Sequence, residues 1–166
     1  MHIIGAYVPL SIWTLVVILL GAAVGLLIHK PLVSRGWAPR PTTVALVATT
    51  LVLSLTLAPG MELDRPDGLD QCLAAFPYVL YRLGYGGEGL LNIALLMPLG
   101  FALIRAVPRW WLAALIVLIL PVGIELIQIL IPGRVCAPSD LLNNVFGGLL
   151  GMFAGSGVKD RDNQKA

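Results

Sequence analysis

The stretch ELIQILIPGRVCAPSDLLNNVFGGLLG, residues 125–151, gathers nearly all the side chains that could do chemistry: Glu125, Gln128, Arg134, Asp140, Asn143 and Asn144, followed by closely spaced glycines. Glu125 and Gln128 stand at i and i+3, so on a helix they share a face. A carboxylate within an apolar span is costly to bury. Glu125 therefore either faces inward toward a partner or lies close enough to Pro132 to reach headgroups and water. With about 100° of rotation per residue, Asp140, Asn144, Gly147 and Gly151 fall in a stripe about 60° wide, flanked by Asn143 and Gly155. Gly147, Gly151 and Gly155 form a small-residue repeat that lets another helix approach closely. Ser139 or Asp140 in APSDLL also suits a helix N-cap, a role compatible with a site. Arg134 is the obvious counter-charge for Glu125 or Asp140, or an ordinary arginine at a headgroup. A carboxylate here can act as a general base. A cluster of charge and amides can also hold a polar headgroup. There is no HExxH, GxSxG or CxxC, and His2 and His29 lie far from the cluster, so no metal and no cofactor is expected.

The elements that must position these residues are set by composition. Of 166 residues, 58% are hydrophobic and 12% charged, with a mean hydropathy of +0.89. That leaves too little polar surface for a soluble globule. The expected fold is all-α, an integral membrane protein. Apolar runs at 3–28, 42–58, 90–106, 110–131 and 141–157 each approach the length that crosses a ~30 Å hydrocarbon core. Five transmembrane helices are expected in a single domain over 1–158, with the chemistry-bearing part at 90–155 and a short polar tail, 159–166, disordered in the cytoplasm. No basic residue precedes the first run, which extends to Lys30, so it is expected to remain as an anchor rather than be cleaved. The third and fifth runs are short and carry Asn92, Asn143 and Asn144 near their beginnings, as if lining a polar recess.

Basic residues orient the chain. Lys30, Arg35 and Arg40, then Arg105 and Arg109, then Lys159, Arg161 and Lys165 fall on one side; Arg65, Arg82 and Arg134 fall on the other. The N-terminus is expected outside and the C-terminus inside. The loop 59–89 is then exterior and acidic, with Glu62, Asp64, Asp67, Asp70 and Glu88. Its Phe76, Tyr78, Tyr81 and Tyr85 suit a segment lying among headgroups, or an aromatic belt at a helix entrance. Cys72 and Cys136 share the exterior side, where a disulfide persists; they are either bonded or two separate thiols. On this topology Asn92, Glu125, Gln128, Asp140 and Asn144 converge on the outer leaflet. An outward-open recess suits binding better than an ion path, which would need ionisable groups in the inner half as well.

NIALLMPLGF at 92–101, ELIQ at 125–128 and R-x5-D-x3-N-x2-G-x3-G from Arg134 to Gly151 resemble the VanZ-like family of small bacterial membrane proteins over residues 90–155; SLTLAPG adds looser support at the end of the second run. The resemblance implies motif positions at Asn92, Pro98, Gly100, Glu125, Gln128, Arg134, Asp140, Asn144, Gly147 and Gly151. Of these, Pro98 and Gly100 join Gly147, Gly151 and Gly155 in helix packing. The chain departs from the family's usual pattern at Leu96 and Ala137. The resemblance implies a multi-pass protein of the bacterial cytoplasmic membrane, and its founding member is linked to low-level teicoplanin resistance. Two classes of function follow. One is binding or modulating an envelope component, a lipid-linked cell-wall precursor or a lipophilic glycopeptide, beside membrane lipid. The other is an intramembrane enzyme acting on a lipid or lipid-linked substrate with Glu125 or Asp140 as general base. A small transporter would need inverted repeats and broken helices that the sequence lacks, and nothing points to nucleic acid.

Overall fold

The computed structural model describes residues 2–3, 6–7, 11–59, 74, 76–131 and 137–163. These form five helices: α1 (Ile12–Ser34), α2 (Pro39–Thr56), α3 (Gly86–Ala106), α4 (Trp110–Gln128) and α5 (Pro138–Asn163). Two short 3-10 turns, Phe76–Tyr78 and Leu80–Arg82, precede α3. At the N-terminus β1 (His2–Ile3) pairs antiparallel with β2 (Ala6–Tyr7).

Several boundaries differ from the apolar runs, for local reasons. The first helix starts at Ile12, not residue 3, because Ser11 is extended and its N–H donates to Thr14 Oγ1 at 3.2 Å, one half of a capping box. It then runs past Lys30, whose long side chain can reach water from a helix end. Gly36 stops it. With φ +90, a conformation glycine adopts without a Cβ penalty, Gly36 donates to Val33 O and Trp37 to Leu32 O, the two bonds of a Schellman motif. The third helix begins at Gly86, so Asn92 stands two turns inside it rather than at its start. The fourth ends at Gln128. The fifth opens at Pro138, where the missing proline N–H costs nothing in the first turn, so Ser139 and Asp140 stand within that turn. It continues to Asn163, so most of the polar tail expected to be disordered is helical.

Among the described residues α1, α3 and α4 are long and apolar enough to cross a membrane. Helix α2 is diluted by hydroxyls, but these are satisfied within the helix. Thr42, Thr49, Thr50 and Thr56 each donate to the carbonyl four residues back at 2.7–2.9 Å. An apolar solvent therefore finds few unmet polar groups on it.

Helix α3 is central, packing against α2, α4 and most extensively α5, while α1 packs on α2. The core joins Ala45, Ala48 and Val52 of α2, Leu96, Leu99 and Leu103 of α3, and Ala113, Val117 and Ile124 of α4. Helices α3 and α5 run parallel in backbone contact. A Cβ built on Gly147 would strike Ile93 O, one on Gly151 would strike Met97 O, and one on Gly155 would meet Ile104 and Phe101 O. Each partner lies about one turn further along, so the spacing of the glycines matches the register of α3. Gly100 lies against Gly148 in the same contact, whereas Pro98, grouped with these glycines on sequence grounds, is exposed and lies outside it.

The chain alternates between two ends. At one, Ala38 N–H donates to Ala106 O at 2.8 Å, joining the α1–α2 and α3–α4 links. At the other, the end of α2, the start of α3, the end of α4 and the start of α5 come together.

Candidate functional site

This second end is held by polar bonds between elements distant in sequence. Gln128, at the last turn of α4, donates from Nε2 to Thr56 O at the end of α2, 2.8 Å away and buried. Asn143 Oδ1, on α5, accepts from Gly84 N–H at 2.8 Å, fixing the loop ahead of α3 against α5. Glu125 Oε2 accepts from Ala137 N–H at 3.1 Å, immediately before α5 begins. A carboxylate at that position faces the positive end of the α5 dipole. Asp140, in the first turn of α5, lies within electrostatic reach of Glu125 as a like charge.

The layer is buried but incompletely matched among the described residues. Glu125, Gln128, Asn143 and Asn144 are all buried. Among the described residues Glu125 Oε1 and Asn144 Oδ1 have no hydrogen-bond partner. Most buried polar atoms in proteins are paired, and an unmatched one costs about 1–3 kcal/mol.

Above it opens a cleft of about 620 Å³, lined by Tyr78, Tyr81, Arg82, Tyr85, Glu88, Ser139, Asp140, Asn143 and the backbone of Gly86, Gly87 and Gly89. Asn143 belongs to both the buried layer and the lining of the cleft. Gly84 (φ +65) and Gly86 (φ +71) turn the chain so that the tyrosine-bearing segment borders the start of α3. A Cβ on Gly89 would crowd the Asn143 amide, at 3.0 Å from its Nδ2.

The structure thus brings Glu125, Gln128, Asp140 and Asn144 to one end of the bundle, with Asn92 half-buried on α3. Arg134, Cys72 and Cys136 lie outside the described residues, and with them both the candidate counter-charge and the candidate disulfide. Arg82, Glu88 and Ser139 line the cleft although sequence reasoning gave them no site role. The one available signal was the GYGGEG run, whose glycines allow a tight approach to α5. Among the described residues no three His, Cys, Asp or Glu side chains come together.

A family model described as VanZ/LLP1 matches residues 42–156, from α2 into α5. No curated protein and no solved structure matches the chain.

Proposed function

The chain belongs to the VanZ/LLP1 family and is a VanZ-like membrane protein; from that premise we propose that it binds or modulates an envelope component at the cleft and the polar layer beneath it. In this reading all five helices cross the bacterial cytoplasmic membrane, with the N-terminus and the cleft outside. The bound molecule is a lipid-linked cell-wall precursor or a lipophilic glycopeptide of the teicoplanin type. The observation that carries the reading is an open, tyrosine-rimmed cleft walled by Arg82, Glu88, Asp140 and Asn143, of which Asn143 also belongs to the buried polar layer with Glu125, Gln128 and Asn144. Clefts of this size with a few convergent polar groups are the usual form of small-molecule sites. An intramembrane enzyme using Glu125 or Asp140 as general base would occupy the same recess and would differ in releasing an altered product.

The binding reading is tested by placing a photoreactive phenylalanine at Tyr81, on the cleft, or at Ile119, exposed on α4, and irradiating membranes supplied with a labelled lipid-linked cell-wall precursor. Adducts at position 81 and not at 119 are expected. Equal labelling at both would mean that only bulk lipid is sampled.

The orientation has its own test, motivated by the eight-to-three division of basic residues. In a Cys72→Ser, Cys136→Ser background, Asp67→Cys should react with an impermeant thiol reagent on intact cells and Asp162→Cys should react only after lysis. The reverse pattern would invert the topology and put the cleft in the cytoplasm.

A further inference from the structure

The end of the bundle opposite the cleft is basic. There the α1–α2 and α3–α4 links meet through the bond from Ala38 N–H to Ala106 O, at 2.8 Å. Lys30, Arg35 and Arg40 come from the first link and the helix turns that flank it, Arg109 comes from the second, and all four are exposed. Among the described residues none of these four side chains has a hydrogen bond or an ion pair. Arg105 differs, since its guanidinium lies 5.8 Å from the centre of the Phe101 ring and is already engaged. Carboxylates do not balance the four. Glu88, Glu125 and Asp140 stand at the other end, and the last turns of α5 carry Lys159 and Arg161 together with Asp160 and Asp162, whose charges cancel. Nor does the backbone offset two of them, because Arg40 stands in the first turn of α2 and Arg109 at the N-cap of α4, where the positive end of a helix disfavours a cation. Like charges gathered at one end of a fold repel one another, and an anion relieves that repulsion.

Depth selects the source of the anion. Trp110 and Trp111 are exposed at the start of α4, and Trp37 in the first link packs against the core. Exposed tryptophans at helix ends settle at the level of lipid headgroups, which puts the adjacent Arg109 at the depth of phosphates. A guanidinium fork matches two phosphate oxygens, and basic side chains at a membrane surface are drawn to anionic lipid. A soluble anion would make no use of the rings. We infer that this end docks the headgroups of anionic phospholipids in the adjoining leaflet, with Arg35, Arg40 and Arg109 engaging phosphate. It is presented to phospholipid in either orientation of the chain, whatever the cleft binds.

The test uses the full chain in nanodiscs holding equal mole fractions of phosphatidylglycerol and phosphatidylcholine with the same acyl chains. Native mass spectrometry reads the lipid retained. Phosphatidylglycerol should be retained over phosphatidylcholine by about tenfold, the ratio that one or two engaged cations supply. A detergent wash at about 1 M salt, where the Debye length is about 3 Å, should strip most of it from the unmodified chain. The paired change Arg35→Gln, Arg40→Gln and the single change Arg109→Gln should each remove most of the preference. Leu26→Ala, exposed on α1, should keep it. Equal retention of the two lipids would mean that the cations only orient the chain, and would overturn the assignment. A preference that survives the salt wash, or both arginine changes, would overturn it as well. Loss in Arg82→Gln, at the cleft, with none in the link variants would put the anion at the other end and overturn it too.

Discussion

Gly151→Leu should leave almost no folded protein in the membrane, while Gly123→Ala should be tolerated. A Cβ at Gly151 meets Met97 O and Phe101 N, which belong to the α3 backbone and cannot rotate aside as a side chain would. The same holds at Gly147 against Ile93 and at Gly100 against Gly148, so relief at one point is blocked by the next. Overpacking a well-packed contact costs roughly 1–3 kcal/mol and more where nothing yields. Isobutyl groups on a backbone-to-backbone crossing belong to the severe end, and the α3–α5 pair is the most extensive in the molecule. At Gly123 a Cβ meets nothing within 4 Å, and alanine is a better helix former than glycine by about 1 kcal/mol. Fluorescence-detected size exclusion and thermal melting of the detergent extract separate the two. Gly151→Leu recovered as abundant and as heat-stable as the parent would show that the α3–α5 contact is not the packing seen here.

Glu125→Gln should reduce any glycopeptide tolerance that the protein confers to the level of cells without it, with the protein still inserted and abundant. The amide keeps the size of the side chain and an oxygen that can accept from Ala137 N–H, so the start of α5 retains its tether. What is lost is the acidic group itself, buried against the start of α5 and close to Asp140. Asp140→Asn removes the neighbouring charge at the cleft wall, and Arg134→Gln removes the only cation of the 125–151 stretch. Each single variant should show the same loss. Unchanged tolerance in Glu125→Gln at equal protein level would mean that the carboxylate serves only to fix the helix entrance.

Periodicity carried much of the fold, and its failures are local. Apolar runs reveal each helix because lipid and core both demand apolar side chains. They locate the ends poorly, since Ser11 and Thr14, Gly36, and Pro138 act through backbone hydrogen bonds rather than hydropathy. The repeat of Gly147, Gly151 and Gly155 is visible in sequence as a stripe. Its seat on Ile93, Met97 and Phe101 is not, because a parallel register between helices separated by α4 is a tertiary property. The cleft was half visible. The tyrosines could be read as interfacial, but the bond from Gly84 to Asn143 spans 59 residues of chain, and no local pattern announces that it makes Arg82 and Glu88 neighbours of Asp140. Glu125 could be seen to need a partner from its apolar setting. That the partner is a backbone N–H at the start of α5 follows only from the geometry of the α4–α5 corner.

The central claim is that the charges at this corner work as one site, and a double-mutant cycle tests it most directly. Glycopeptide tolerance, normalised to membrane protein level, is measured for Glu125→Gln, Asp140→Asn and the pair. Groups acting as a unit give non-additive losses. The expected result is a double variant no worse than either single, both already at the background of cells lacking the protein. Two partial losses that simply add in the double variant would contradict it and make Glu125 and Asp140 independent features of the membrane surface.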